Sequence, residues 1–544
     1  MDFRRTLFVL ITIFLSLTAT KAQEVSIWSK YEIDFTSSKN FENVLYQLKD
    51  FHADFISPSG RQISINGFWN GGNDFKIRFS PDELGAWTYR TVCSDTLNPG
   101  LHHQTGTFNC IKNNNDFDIY QKGTIVRSPG NYHLTYADGT PFFYVACTAW
   151  NGALKSTDAE WSEYLTQRKN NNYNVIQFVT TQWRGGSKDR NGEVAFTGSG
   201  KIEINPRFFQ RLDEKIDAIN AHGLVAAPVL LWALQKGDGR HFSPGYYLPD
   251  EEAILLAKYI VARYGGNQVI WILGGDGKYI DEYEQRWKRI GREVFGDPHP
   301  GIVAQHPQGL SWIGEDYKGE NWLDIVGYQS SHSNREYTVN WINKGPASAQ
   351  WSNLPARPLM NLEPNYEEIH FSISDTDVRN ASYWSIFATP PSGITYGANG
   401  IWPWIQYEGE LIENHRNPGG RGPSTWKKSI AFPGSLQIGY LAGFINQFEW
   451  WNLKPGQDLL IKQPGDEVFN HFISVLADDQ MSTILAYTPI QQEIQIRNMS
   501  GYTYQVRWFD PVHNKFVPGA EVNATQINLS PQTNQDWVAI LTKK

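Results

Sequence analysis

Two short apolar segments each end in a carboxylate that could take part in acid–base chemistry. IWILGGDGK, residues 270–278, and LMNLEPNYE, residues 359–367, have the pattern of buried strands, which end at Asp276 and Glu363. If both strands belong to an eight-stranded parallel barrel, both carboxylates point to the face where barrel enzymes have their active sites. The pair could then supply a general acid and a nucleophile. Taken singly, either residue could instead be a helix N-cap or a solvated loop residue.

The elements that must position these carboxylates are strands that alternate with amphipathic helices. Thr157 and Glu160 form a capping box, Pro206 opens a second helix, and Asp250 opens a third. Such alternation predicts a (β/α)₈ TIM barrel over residues 117–437. The eight predicted strands are residues 142–150, 174–183, 224–232, 269–276, 301–307, 324–330, 358–363 and 393–404.

Further polar and aromatic side chains fall at the same predicted face of the barrel, and we expect them to bind substrate. They are Trp150, Gln182, Trp183, Arg184, His306, Tyr328, Gln329, Tyr366 and Trp402. Tyr328 could hydrogen-bond Glu363 and keep it ionised, and Arg184 could do the same by its charge. Two alternatives stay open: His306 could be a satisfied loop histidine, and Trp402 could be a core residue.

Two predicted β domains flank the barrel. Residues 24–115 alternate short β-type runs with turn residues, which predicts a small β-sandwich that ends in the polar linker KNNND. Residues 439–544 return to strand-like alternation and predict a second sandwich. The fold class is therefore multidomain, with a central (β/α)₈ barrel between two all-β sandwich domains.

The N-terminus has the three-part pattern of a secretory signal peptide. Arg4 and Arg5 precede the apolar run LFVLITIFLSL, and small residues lead to Ala22. We expect cleavage after Ala22 and a secreted or periplasmic protein. No cysteine follows the run at the position that a lipid anchor requires, and we expect no membrane association after cleavage.

Composition narrows the function classes. Aromatic residues make up 14% of the 544 residues, with 21 tryptophans, which suits either core packing or stacking on sugar rings. The net charge of -8 becomes about -10 without residues 1–22, because three positive charges and one negative charge leave, and an acidic chain argues against nucleic acid as a partner. No Cys/His cluster has metal-ligand spacing. Cys93 and Cys110 could form a disulfide, whereas Cys147 is expected to be a small buried hydrophobe.

Five segments of the barrel region are distinctive in combination: FFYVACTAW, VIWILGGDGK, GDPHPGIVAQHPQG, RPLMNLEPNYE and DVRNASYWSIFATPPSGITYGANGIWPW. Together they resemble the apiosidase-like barrel of bacterial polysaccharide-degrading enzymes, glycoside hydrolase family 140 and its relatives, over about residues 118–435. The resemblance implies that Asp276 is the acid/base and Glu363 the nucleophile. The segment NGFWNGGNDFKIRFSPDELGAWTYRT is similar to the sandwich that often precedes such barrels, and the C-terminal part resembles a collagen-binding-type β-sandwich that often follows them.

The chain departs from the family pattern in strand one, where it has CTAW and relatives often have DTAW. We therefore expect that Cys147 replaces a sugar-binding carboxylate. The pair Gly275-Asp276 stands where many other barrel glycosidases have Asn-Glu, which agrees with the apiosidase-like group.

The sequence predicts a secreted glycoside hydrolase that acts on a plant or algal polysaccharide or its oligosaccharides, with retention of configuration and without a metal or organic cofactor. Two alternatives remain. One is an endo-acting β-glycanase of the same barrel type, and the other is a non-catalytic carbohydrate-binding or adhesion protein. The presence of both carboxylates argues against the second alternative.

Overall fold

A computed structural model of the protein describes residues 23–296, 301–415 and 424–544. The predicted signal peptide, residues 1–22, lies outside the described residues. Within the described part, the chain forms a central barrel and two flanking β-sheet domains, and the predicted fold class is confirmed.

All eight predicted strand segments form strands of one parallel sheet. Side chains on both faces of these strands are buried, because helices cover the outside of the barrel and side chains fill its interior. The strands are therefore continuous apolar runs. The strands are β1 (Tyr144–Thr148), β2 (Val175–Val179), β3 (Val225–Trp232), β4 (Ile270–Gly277), β5 (Ile302–Pro307), β6 (Ile325–Gln329), β7 (Leu359–Glu363) and β8 (Gly393–Ala398).

The sheet closes through a second short strand that follows β7. Hydrogen-bonded neighbours run in the order β7, β6, β5, β4, β3, β2, β1, β8, and Tyr366–Glu367 then pairs in parallel with β8. Among the residues with described positions, β7 and β8 share no ladder, although Ser392 Oγ donates to the Leu359 carbonyl at 2.8 Å. Because Pro364 has no N–H to donate, it interrupts the strand at this seam.

Helices cover the outside of the barrel, and their predicted starts are confirmed. Thr157 and Glu160 form the capping box of the first long helix, and Pro206 is the first residue of the next. The described segment between β5 and β6, residues 308–324, forms turns and contains no helix; Trp322 packs there against Gly291 and Phe295 instead. The helices that follow β1–β8 are Gly152–Lys155, Asp158–Asn170, Pro206–Ala221, Pro244–Tyr247, Asp250–Tyr264, Glu284–Phe295, Glu336–Lys344, Pro346–Gln350, Asp375–Phe387, Trp426–Ser429 and Pro433–Ile445.

The N-terminal domain has two sheets that enclose an aromatic core. The five-stranded sheet contains Gln23–Ser26, Thr105–Ile111, Gly85–Cys93, Phe51–Ile56 and Gln62–Asn66, and the three-stranded sheet contains Tyr31–Thr36, Asp74–Phe79 and Phe68–Gly71. Phe55 stacks on Phe79, and Trp87 stacks on Phe108, between the two sheets.

Cys93 and Cys110 are free thiols, so the possible disulfide does not form. Cys110 is paired with Gly85 across two antiparallel strands, and Cys93 lies at the other end of the strand Gly85–Cys93. Eight residues of extended strand separate the two positions by roughly 27 Å, far beyond the Cα separation that a disulfide spans.

A buried ionic cluster holds the N-terminal domain against the barrel. Asp213, in the helix Pro206–Ala221, accepts hydrogen bonds at 2.7 Å from Arg78 of the N-terminal domain and from Arg263 of the barrel. Arg263 also donates to the Asn70 amide oxygen at 2.8 Å, and the Arg78 guanidinium donates to the Arg263 carbonyl at 3.0 Å. The cluster joins the two domains because Arg78 and Asn70 of the N-terminal domain form hydrogen bonds with Asp213 and Arg263 of the barrel.

The predicted boundary between residues 437 and 439 is wrong, because the helix Pro433–Ile445 runs across it. This helix is apolar nearly all round, and it is buried between the barrel and the C-terminal strands, which begin with Leu453–Pro455. Because nearly every face of this helix is apolar, its sequence does not show the alternation of apolar and polar residues that identifies a surface helix.

The C-terminal domain packs a six-stranded sheet directly on the barrel. Along Trp537–Lys543, Val538 and Ile540 join the barrel core, whereas Ala539 and Leu541 face the other side. The sheet consists of Leu453–Pro455, Ser474–Asp478, Thr483–Thr488, Trp537–Lys543, Tyr504–Asp510 and Lys515–Val522, and its outer face is covered by the pair Ile494–Arg497 and Gln526–Leu529.

Candidate active site

The end of β4 is shaped by two glycines that bring Asp276 into the barrel mouth. A Cβ at Gly274 would lie 2.5 Å from the Tyr279 hydroxyl, and a Cβ at Gly275 would lie 2.6 Å from the Trp232 ring. The ladder with β5 is irregular here, and Asp276 has a φ of 47°, a left-handed conformation that is costly for a residue with a side chain. The packed surroundings therefore hold Asp276 in a strained backbone position.

Glu363 ends β7, and both of its carboxylate oxygens are contacted by histidine rings. His332 Nε2 lies 2.9 Å from Oε1, and His306 Nε2 lies 3.2 Å from Oε2. His306 is also linked to the other carboxylate, because the Asp276 backbone N–H donates to its Nδ1 at 3.2 Å. Two strand ends on different sides of the barrel are thus connected through one imidazole ring.

Asp276 and Glu363 line one cavity of about 730 Å³ at the C-terminal ends of the strands. Six other residues from the predicted set line the same cavity: Trp150, Trp183, Arg184, Gln329, Tyr366 and Trp402. The structure therefore brings together most of the side chains that the strand-end argument selected.

The pKa values of the two carboxyl groups are displaced in opposite directions. Burial, and then the negative charge of Glu363, raise the pKa of Asp276 to about 7. Burial alone would also raise the pKa of Glu363, but hydrogen bonds from His306 and His332 outweigh it and lower this pKa below its ordinary value. Near neutral pH one carboxyl can therefore donate a proton while the other is ionised, which is the division of roles that acid and nucleophile need.

Four tryptophans form an aromatic wall around the cavity. The Trp232 ring lies 5.3 Å from Trp150 and 4.3 Å from Trp183, and Trp402 lies 6.0 Å from Trp183. Trp150 Nε1 donates to the Tyr366 hydroxyl at 2.9 Å, which fixes both side chains. Flat indole surfaces beside two carboxylates suit the apolar faces of sugar rings.

Arg184 and Gln329 add polar groups to this wall. Arg184 donates to the carbonyls of Asp238 and Asn414, each at 3.2 Å, and its charge opposes the rise in the pKa of Asp276. The charge of Arg184 was predicted to keep Glu363 ionised, whereas in the structure it acts on the pKa of Asp276. Gln329 lines the cavity, and its amide oxygen has no hydrogen-bond partner among the described residues.

Tyr328 and Gln182 do not reach the cavity. Side chains alternate along β6, so Gln329 points inward while Tyr328 points outward, where it packs on Trp341 and hydrogen-bonds Ser385. The predicted bond from Tyr328 to Glu363 is wrong. Gln182 lies beyond the end of β2, and its amide is fully used by the backbone of Ala195 and Phe196 in the following loop.

His306 differs from its prediction, whereas Cys147 is buried, as predicted, but does not face the cavity. His306 is fully buried beneath the cavity, where it contacts both catalytic candidates, so it is neither a substrate-binding residue nor a loop residue. Cys147 faces the outer helices: it is buried, and Arg168 Nη1 donates to its Sγ at 3.7 Å. An aspartate at this position would pair with Arg168, so Cys147 does not replace a sugar-binding carboxylate.

Four residues that were not predicted from the sequence also line the cavity: His332, Trp232, His370 and His415. Trp232 is the last residue of β3, and the rule that selected Trp150 could have found it. His332 lies in the loop after β6, and nothing in its sequence neighbourhood indicates that its ring reaches Glu363.

No metal site or membrane helix is found in the described ranges. No group of three His, Cys, Asp or Glu side chains among these residues is arranged to hold a metal ion. No helix among them is both long enough and apolar enough to cross a membrane.

The barrel matches a known protein family. The model of the family described as "Apiosidase-like, catalytic domain" matches residues 128–452, more than half of the chain. The chain belongs to the apiosidase-like glycoside hydrolases. A second model, for a domain of unknown function (DUF5060), matches residues 24–94 at the N-terminus of this apiosidase-like protein. A search of curated proteins finds no match.

Solved structures of glycoside hydrolases share the fold of the apiosidase-like chain. One, named only as a glycoside hydrolase, is 22% identical with a TM-score of 0.67 and covers 78% of this chain and 97% of its own. A glycoside hydrolase family 5 protein from Bacteroides vulgatus is 21% identical with the same TM-score, at 78% and 94% coverage. A candidate glycoside hydrolase from the same organism is 17% identical with a TM-score of 0.68, at 96% and 100% coverage. At these identities the likeness shows the fold alone.

Proposed function

We propose that this glycoside hydrolase is a secreted enzyme that cleaves a plant or algal polysaccharide, or its oligosaccharides, with retention of configuration. Asp276 is the acid/base and Glu363 the nucleophile. The observation that carries the proposal is the opposite displacement of the two pKa values within one cavity. A carboxyl that keeps its proton up to about pH 7, next to one that is ionised well below that pH, has the arrangement of a glycosidase acid and nucleophile.

The reaction has two steps. Glu363 attacks the anomeric carbon while Asp276 donates its proton to the glycosidic oxygen, so the bond to the leaving sugar breaks and a glycosyl ester forms on Glu363. Asp276, now ionised, takes a proton from water, and the resulting hydroxide displaces Glu363 from the sugar. Asp276 and Glu363 then regain their starting protonation states.

The aromatic wall supports a carbohydrate substrate, and secretion is supported by the signal-peptide pattern of residues 1–22. A noncatalytic binding protein would have no need of a carboxyl with a raised pKa beside an ionised one. A non-catalytic carbohydrate-binding protein is therefore the less favoured alternative, and the hydrolysis experiment described next distinguishes it from an enzyme.

The test is hydrolysis of a panel of pectic, hemicellulosic and algal glycans by the full chain without its signal peptide, with products separated by chromatography. We expect one glycan class to be cleaved by the wild-type chain and not by Glu363→Gln. Binding of a glycan without any hydrolysis would overturn the proposal in favour of a carbohydrate-binding protein.

The stereochemistry is tested on the same substrate. Retaining enzymes have carboxyl groups about 5–5.5 Å apart, whereas inverting enzymes leave about 6.5–9.5 Å for a water molecule. We expect NMR spectra of the first-formed product to show the anomer of the substrate. Release of the opposite anomer would mean that Glu363 activates water and that no glycosyl ester forms.

A further inference from the structure

The two histidines that contact Glu363 are not equivalent, and their hydrogen-bond partners specify where their protons lie. A neutral imidazole has one N–H donor and one bare nitrogen acceptor, whereas an imidazolium has two donors. A backbone N–H can only donate and a backbone carbonyl can only accept. Each ring in this site contacts one backbone group of known character, so the remaining nitrogen can be assigned.

His306 must be neutral. Its Nδ1 accepts the Asp276 backbone N–H at 3.2 Å and is therefore bare. The ring can then carry only one proton, on Nε2, which lies 3.2 Å from Glu363 Oε2. The neutral ring of His306 thus directs its Nε2 proton toward Glu363 Oε2, and the hydrogen bond from the Asp276 backbone N–H fixes its tautomer.

His332 differs because its backbone partner is a carbonyl. Nδ1 lies 2.9 Å from the Pro364 carbonyl oxygen, so it must carry a proton. Nε2 lies 2.9 Å from Glu363 Oε1, and an ionised nucleophile can only accept a hydrogen bond there. Both ring nitrogens of His332 therefore carry protons.

We propose that His332 is a positioning residue that acts as an imidazolium ion, which holds Glu363 in its ionised form and fixes its orientation for attack. The proposal rests on the proposed role of Glu363 as the nucleophile. When Asp276 is protonated, the positive charge of His332 balances the negative charge of Glu363. The net charge of these three side chains is then zero. When Glu363 forms the glycosyl ester, the Nε2–H of His332 donates a hydrogen bond to the ester carbonyl oxygen, and this bond favours the later departure of the carboxylate.

The other groups that face His332 are compatible with its charge. Its ring lies 4.3 Å from the ring of Tyr366, a neutral phenol whose pKa is raised by burial and then by the charge of Glu363. His370 lines the same wall, and burial followed by the charge of His332 lowers the pKa of His370, which keeps it neutral. Asp276 is also close enough to His332 for the charge of the imidazolium to oppose the rise in the pKa of Asp276.

The first test measures the protonation of the ring directly. The full chain is labelled with ¹⁵N-histidine, and ring ¹⁵N signals are recorded at pH 7, with His332→Gln and His306→Gln used to assign them. We expect both nitrogens of His332 to have the shifts of an imidazolium and His306 to show one bare nitrogen. A bare nitrogen on His332 at this pH would overturn the proposal. This readout does not need a substrate, so it stands or falls independently of the proposed function.

The second test is the pH profile of kcat/KM in His332→Gln. The introduced amide could still donate a neutral hydrogen bond, but the positive charge is lost, so the acid limb that reports protonation of Glu363 should move up by roughly 1–3 pH units. His222→Gln, on an outer helix where the ring contacts the Ala218 carbonyl, is the matched control and should leave the profile unchanged. A loss of activity in His332→Gln that is equal at every pH would show a merely structural role and contradict the proposal.

Discussion

Two carboxylates that are largely shielded from solvent, Asp213 and Glu363, are each contacted by two basic side chains, and the two environments have different consequences. At the domain junction, Asp213 is bound by two guanidinium groups, from Arg78 and Arg263. Burial alone would raise the pKa of Asp213, but hydrogen bonds and charge from both arginines lower it. In the barrel mouth, Glu363 is bound by two imidazole rings and shares its cavity with a second carboxyl, Asp276.

The difference lies in what remains unsatisfied. Each oxygen of Asp213 has a guanidinium donor, so no proton needs to move and the cluster contributes to domain docking. Asp276 has no guanidinium donor among the described residues, and its raised pKa lets it hold a transferable proton next to an ionised neighbour. The charge cluster around Asp213 is suited to a structural role, because arginines match the charge of its carboxylate. The cluster in the barrel mouth is suited to catalysis, because two carboxyl groups share histidines as their partners.

The largest expected effect comes from removing the charge of Glu363. Glu363→Gln should lower kcat by about 10⁴-fold, a loss typical of essential catalytic groups, because the amide cannot attack the anomeric carbon. Thermal unfolding and glycan binding should change little, since the amide has nearly the same shape. Retention of more than about a tenth of kcat would contradict the role of Glu363 as the nucleophile.

The next effect tests the proton on Asp276. Because the acid must be protonated and its pKa is raised to about 7, kcat/KM should fall as the pH rises through that value. Asp276→Asn should lower kcat by about 10²–10⁴-fold, and the basic limb of the pH profile should disappear. If the basic limb stays in place in the variant, another residue is the acid.

At the domain junction we expect a loss of stability instead of activity. Asp213→Asn should lower the free energy of unfolding by about 3–5 kcal/mol, because two buried guanidinium groups lose their carboxylate, while kcat of the folded enzyme stays near its normal value. Chemical denaturation with parallel assays measures both quantities. A loss of kcat without a loss of stability would show that the junction acts on the active site.

The same cluster predicts how stability depends on pH. The folded-state pKa of Asp213 lies below its unfolded value of about 3.9, so its contribution is complete above that pH and is lost as the pH falls through the folded-state pKa. The acid side of the stability curve should therefore flatten in Asp213→Asn relative to the wild type. Parallel curves for the two proteins would mean that Asp213 does not titrate with unfolding.

The smallest effect is expected at Cys147. Since the thiol faces Arg168 and not the cavity, Cys147→Ala should change KM by less than about twofold and cost about 1 kcal/mol of stability for a small buried group. Assays and thermal melts of the variant measure the two effects. A large change in KM would restore the prediction that position 147 contacts the sugar.

The barrel was predictable because its signals are local. Eight apolar runs and the capped helices between them are written in consecutive residues, and the strand ends then select Asp276 and Glu363 without knowledge of any contact. The boundary at 437–439 failed for a local reason as well. Pro433–Ile445 is apolar on every face, so its sequence does not show the period of a surface helix.

The partners of the carboxylates were not predictable because they depend on side-chain direction and on contacts distant in sequence. Tyr328 and Gln329 are neighbours, and a shift of one residue decides which of them points into the barrel. His332 reaches Glu363 from a loop 31 positions earlier in the chain. A sequence pattern identifies strand ends, but it does not identify which rings turn toward them.

The seam between β7 and β8 has a mechanical consequence for the enzyme. Hydrogen-bond ladders elsewhere make neighbouring barrel strands open together, whereas this seam is held by Ser392 and by the short pair formed by Tyr366–Glu367. Local opening of the barrel on heating should therefore begin there, next to Glu363, the proposed nucleophile. Amide hydrogen exchange of residues 361–367 should be faster than that of β2, β3 and β4, and gentle denaturant should abolish turnover before the barrel as a whole unfolds.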